Sequence, residues 1–204
     1  MKTTLLTLTA VATLSTLSHA EVQTFDFKDP KGVNNIVFKL DAPLESINGT
    51  ASGISGTVSA DPANPGDVKG TITVDTVSLH VPNPVMKEHM LGEKWLNTTA
   101  HPTITFELKS VANVKRDGNT GTADVTGTFT LKGIKKDITV PVQVTYLPGK
   151  LKARGGDVDG DLLVLRSNFQ INRSDFGIQA GQSTDKVAES IDVSLSIAGA
   201  SPKK

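Results

Sequence analysis

Apolar and polar residues alternate through most of the chain. Ile36, Phe38 and Leu40 interleave with Val37, Lys39 and Asp41, and Ile104, Phe106 and Leu108 with Thr105, Glu107 and Lys109. Val125, Gly127, Phe129 and Leu131 share one phase against Thr126, Thr128, Thr130 and Lys132. Ile138, Val140, Val142, Val144 and Tyr146 share another, Phe169 and Ile171 a third, and Ile191, Val193, Leu195 and Ile197 close the series. Successive side chains of a strand point to opposite faces, so each run predicts a strand with one buried and one wetted face. Threonine and serine dominate the wetted phase, where a pleated surface suits them. Segments rich in Gly, Pro, Asn and Asp separate the runs: Asp61-Pro62-Ala63-Asn64-Pro65-Gly66-Asp67, Asp117-Gly118-Asn119, Leu147-Pro148-Gly149-Lys150 and Asp159-Gly160. The spacing predicts an all-β domain of about eight or more antiparallel strands, as a sandwich or a barrel.

One stretch breaks the alternation. Between Val81 and Ala100, Pro82 and Pro84 precede Met86-Lys87-Glu88-His89-Met90-Leu91-Gly92 and Glu93-Lys94-Trp95-Leu96-Asn97, which reads as a short helical excursion near residues 85–97. Its apolar side chains would either form an adaptable lid at one end of the sheet or simply pack a helix there.

Composition narrows the function. The chain has 204 residues, with 21 Lys and Arg against 21 Asp and Glu, and this balance argues against binding nucleic acid through phosphate charge. The absence of cysteine removes disulfide scaffolds, thiol nucleophiles and Cys-ligated zinc. Residues 1–20 form their own unit: a positive start at Lys2, an apolar, Thr-rich run from Leu5 to Leu17, and Ser18-His19-Ala20 before Glu21. That pattern predicts a secretory signal peptide cleaved after Ala20, too short and hydroxyl-rich to be an integral membrane span, with residues 21–204 as one exported domain.

Candidate chemistry is sparse. His80, His89 and His101 have no metal-ligand spacing. His89 and His101 are expected to make structural hydrogen bonds around the 81–100 excursion, with His101 fixing the turn into Pro102. Asp157-Val158-Asp159-Gly160-Asp161 suggests calcium but fails the EF-hand pattern, and a solvated hairpin turn on Asp159-Gly160 is expected instead. Arg173 and Asp175 could hold a charged headgroup, but the expectation is that they pair locally and set the turn before Phe176-Gly177. Gly53-Ile54-Ser55-Gly56 is not a nucleophile elbow, and no pair of carboxylates stands out for glycoside hydrolysis.

Several stretches in order resemble the YceI-like family of exported lipid- or polyisoprenoid-binding proteins. These are Ile36-Val37-Phe38-Lys39-Leu40, Gly53-Ile54-Ser55-Gly56-Thr57-Val58, Gly70-Thr71-Ile72-Thr73-Val74-Asp75, His101-Pro102-Thr103-Ile104-Thr105-Phe106, Gly127-Thr128-Phe129-Thr130-Leu131-Lys132-Gly133-Ile134 and Arg173-Ser174-Asp175-Phe176-Gly177. The resemblance implies an elongated, eight-stranded, lipocalin-like barrel; the residues above nominate no catalytic residue, metal or cofactor for it. It also implies a polyisoprenoid, a quinone or an isoprenoid precursor, held inside in the periplasm for transport, storage or stress protection. The expected partners are therefore an isoprenoid lipid or quinone, with a homodimer admitted. Combined with strand phase, the resemblance nominates Phe38, Ile104, Phe106, Phe129, Val142 and Phe169 as ligand-lining, with Met90 and Trp95 near the mouth. The residue pattern by itself leaves a second reading open, a structural or adhesion module whose inward side chains fill a solid core.

Overall fold

The structure, a computed structural model, describes residues 22–61, 64–155 and 157–203. The expected signal peptide and its cleavage point lie outside the described residues. In chain order the strands are β1 (Gln23–Asp26), β2 (Asn35–Asp41), β3 (Ser46–Ala51), β4 (Ile54–Asp61), β5 (Asn64–Asp75), β6 (Thr103–Asp117), β7 (Thr120–Leu131), β8 (Ile134–Leu147), β9 (Gly160–Asn172) and β10 (Ser190–Pro202), with helix α1 (Pro84–Leu91) between β5 and β6.

Physically these ten segments make eight staves. β1 and β2 lie along the same neighbour: Asp26 faces Ala200 of β10, and Asn35 faces Ser196. On their other side β4 pairs with β1, Phe25 opposite Val58, and β3 pairs with β2, Ile36 opposite Ala51, with only Ser52 and Gly53 between β3 and β4. Each of the first two staves is thus one long strand, broken in the middle. The remaining strands follow in sequence from β5 to β10, all antiparallel, and β10 returns to β1 and β2. This is a closed eight-stranded barrel, and closure leaves no open edge for another chain to extend.

The break between β1 and β2 is held by a polar knot. The buried Asn34 donates from Nδ2 to the carbonyls of Phe27 at 2.9 Å and Ala198 at 3.1 Å, and its Oδ1 accepts from the Ala198 N–H at 2.8 Å. Arg154 donates from Nη2 to Asn34 Oδ1 at 3.1 Å and to Asp29 Oδ2 at 2.9 Å. Burial works against the charged Asp29, but the N–H groups of Asn34, Lys31 and Val33 and the Arg154 charge outweigh it and hold the carboxyl below its ordinary value.

The excursion from the sheet takes the expected place as one helix followed by turns. Asn83 caps α1, its Oδ1 accepting from the Met86 N–H at 3.0 Å, and Pro84 fills the first position, where its missing N–H costs nothing. Two expected turns differ. β5 already begins at Asn64, so part of the Asp61–Asp67 segment is strand. Gly160 opens β9 instead of turning a hairpin at Asp159-Gly160, because the β8–β9 connection carries a 3-10 turn at Lys152–Arg154 and closes with Leu151 N–H on the Gly160 carbonyl.

The topology gathers the β2–β3 turn, α1, the β7–β8 turn and the 173–189 connection at one end of the barrel, called here the helical end. At the opposite, far end Phe25 packs edge-on against Tyr146 with ring centroids 6.3 Å apart. Phe25, Phe27 and Ile197 are fully buried there, in a cluster that includes Val58 and Leu163. A smaller cluster of Leu131, Ile171, Phe176 and Ile178 lies under the 173–189 segment, where Phe129 and Phe176 meet edge-on at 5.5 Å. Among the described residues, no helix is long and apolar enough to cross a membrane.

Candidate functional site

The inward-facing apolar residues are not all fully buried. Phe38, Ile104, Phe106, Leu108, Phe129, Val142, Phe169, Val193 and Leu195 are each only half-buried, although their outward neighbours are mostly polar and the barrel is closed. They face open space along the axis. That space is a cavity of about 690 Å³, inside the size range of pockets that enclose small organic ligands. Its wall takes residues from the staves and from the excursion and reaches from His89 and Met86 at the helical end to Asn119 and Thr120 at the far end.

The structure brings all eight nominated residues to this wall. Phe38 comes from β2, Ile104 and Phe106 from β6, Phe129 from β7, Val142 from β8 and Phe169 from β9, with Met90 from α1 and Trp95 from the turn after it. Ile36, Leu40, Val144, Leu165, Val193 and Leu195 stand beside them. Those six share the strand phase of the nominated residues, so the same alternation would have found them.

At the helical end the rim is made by α1 and the 173–189 segment. That segment is tied down by Arg173, which is fully buried. Its Nε donates to the Ala188 carbonyl at 3.1 Å, Nη1 to those of Ile178 at 3.0 Å and Gln179, and Nη2 to those of Gln182 and Val187 at 3.2 Å. A guanidinium has five N–H groups, and each meets a backbone carbonyl of one loop. The expected pairing of Arg173 with Asp175 does not occur. Asp175 takes Lys136 at 3.0 Å, while the carboxylate beside Arg173 is Glu189 at 3.7 Å. Hydrogen bonding to Ser174, above all, holds the Glu189 carboxyl below its ordinary value.

At the far end Tyr146 lines the cavity and donates its hydroxyl to Asp161 Oδ2 at 2.7 Å. Gln23 Nε2 donates to the same oxygen at 3.1 Å, and the Gly149 N–H to Oδ1 at 2.8 Å. Burial opposes the charge on Asp161, yet these donors, with Lys203 nearby, bring its carboxyl below the ordinary value. Burial, helped by Asp161, pushes the Tyr146 hydroxyl up. Asp161 is therefore spent on closing the barrel end, while Asp157 and Asp159 are exposed. Among the described residues no group of three or more His, Asp or Glu could hold a metal ion.

The histidines are divided between roles. His80 bridges β3 through its backbone, its N–H on the Thr50 carbonyl at 2.8 Å and the reciprocal bond at 2.9 Å. The His101 ring lies where a β-carbon on Gly133 would stand, and its carbonyl accepts from Thr76 Oγ1 at 3.2 Å. His89 reaches the tunnel mouth.

The residues thus build a closed antiparallel barrel around an axial apolar cavity, rimmed at one end by a helix and a pinned loop. The model of the YceI-like domain matches residues 16–198, and the chain belongs to that family. A UPF0312 protein of Pectobacterium atrosepticum is 32% identical over 204 residues, covering 97% of this chain and 96% of that one. Protein YceI of Shigella flexneri is 29% identical over 158 residues, covering 77% and 75%. Among solved structures, BcnA of Burkholderia cenocepacia superposes with a TM-score of 0.67 at 22% identity, over 81% of this chain and 95% of that one. A polyisoprenoid binding domain from Saccharophagus degradans, implicated in plant cell wall breakdown, superposes at 0.62 and 13% identity, over 89% and 100%. These structural likenesses show a shared fold.

Proposed function

We propose that this protein is a non-catalytic carrier that holds a polyisoprenoid, a quinone or an isoprenoid precursor, inside the barrel. The observation that supports it is the tunnel: an axis lined by half-buried Phe, Ile, Val and Leu side chains around about 690 Å³ of space. A structural module with a filled core has no need of such a space, because protein interiors otherwise pack to crystal-like density. Burial of hydrocarbon contributes roughly 25 cal/mol per Å², or about 0.8 kcal/mol per methylene, so a few prenyl units offset the entropic cost of association without any reactive group. The structural neighbour from Saccharophagus degradans, named as a polyisoprenoid binding domain, points the same way.

The same reading places the protein in the periplasm, with residues 1–20 removed as a signal peptide and residues 21–204 forming the mature domain. There it would move or store a lipid that water excludes.

Native mass spectrometry and organic extraction of protein gently purified from a bacterial host test the proposal. Retained prenyl lipid, released on extraction, is the expected result. An empty barrel that added geranylgeraniol neither binds nor stabilises would overturn it.

A further inference from the structure

Two glycines in the barrel wall are paired with phenylalanines that line the tunnel. Gly49 of β3 is the register partner of Phe38 in β2. A β-carbon built on it would lie 2.1 Å from Phe38 Cζ and 2.6 Å from Cε2. Gly127 of β7 is the partner of Leu108 in β6, one step along the same face from Phe106. A β-carbon there would lie 2.5 Å from Phe106 Cζ and 2.8 Å from Cε1. In both places the ring occupies the volume that any other side chain would need. Neither glycine adopts positive φ, so the backbone does not demand glycine at either site. What each position supplies is room in the wall, and a ring that sits in the wall does not stand in the lumen.

We propose that Gly49 and Gly127 set the bore of the tunnel and thereby the length and bulk of the apolar chain it admits. This inference rests on the prenyl-binding reading above. A methyl group at either site must displace a ring, and the open volume that can receive it is the lumen. The added carbon would also meet backbone, the His80 carbonyl at 2.7 Å from Gly49 and the Glu107 carbonyl at 2.6 Å from Gly127, so the neighbouring chain must give as the ring moves. Threading a long chain past a displaced ring then carries the cost of an overpacked core. A competing role, a ring covering glycine solely to stabilise the sheet, predicts lost stability without changed ligand preference.

Displacement of cis-parinaric acid from the delipidated full chain by geraniol, farnesol, geranylgeraniol and solanesol separates these outcomes. In Gly49→Ala and Gly127→Ala, affinity for the longest alcohol the wild type binds is expected to fall about tenfold, within the cost of overpacking, with geraniol changed less than twofold. Phe38→Val and Phe106→Val keep the glycines and widen the bore, so they should shift preference toward the longer or bulkier alcohols. If the alanine variants fail to fold, by far-ultraviolet circular dichroism, the valine variants decide. A wild type that binds prenyl alcohols, with variants of unchanged length profile, overturns the inference and leaves the carrier reading standing. A wild type that binds none of the four removes both.

Discussion

Single side chains at the two ends of the barrel bear directly on stability. Asp161 is 4% exposed and accepts from Tyr146, Gln23 and Gly149, and its carboxyl titrates below the ordinary value of 3.8. A group whose folded value is depressed contributes stability that is present above the unfolded value and lost as pH falls through the folded one. Melting temperature is therefore expected to drop on acidification below about pH 4, with Asp29 acting in the same direction. Asp161→Asn should cost about 1–3 kcal/mol at neutral pH and flatten that acid limb; thermal melts between pH 2 and 7 measure both. Arg173 is the stronger case. Lysine offers three N–H groups in place of five, so Arg173→Lys leaves carbonyls of the 173–189 segment without a donor. Urea titration is expected to show a loss of about 3 kcal/mol or more, and a prenyl ligand should dissociate faster through the loosened rim. The local structural role of Arg173 was legible; its partners were not. The partners of Arg173 are backbone carbonyls, which every residue carries, so sequence offered Asp175 as the obvious mate and the fold chose five main-chain oxygens.

Elements were read with uneven success, for a physical reason. Where a strand has a wet outer face, period-two alternation states its phase, and the inward set follows: Phe106 with Ile104, Phe129 with Val125. The interruption of the first staves leaves no such trace. Lys28-Asp29-Pro30-Lys31-Gly32 looks like any turn, and nothing local says that both flanking strands run along the same neighbour. That fact resides in Asn34 and Arg154, far apart in sequence. Helix α1 was legible from the break in alternation after Pro82 and Pro84, yet no residue of it is fully buried, and its anchorage rests on partly buried side chains such as Met90 and Leu91. Asn83→Ala should therefore destabilise the helix by about 1 kcal/mol while scarcely moving the global melt. Hydrogen exchange should register faster opening of residues 84–91, and ligand uptake should quicken if α1 gates the mouth.

At the scale of the whole molecule, a guest that binds only the folded barrel must raise its stability by mass action. Protein stripped of lipid is expected to melt several degrees lower than protein as purified, and a stoichiometric prenyl alcohol should restore the difference; differential scanning calorimetry reads this.

The pairing of the final strand has a consequence in time. β10 bonds to β9 on one side and to β1 and β2 on the other, so the first and last strands meet. The seam cannot be sewn while the ribosome still holds residues 190–202. Until release, the nascent polypeptide carries two raw edges and must wait, unfinished.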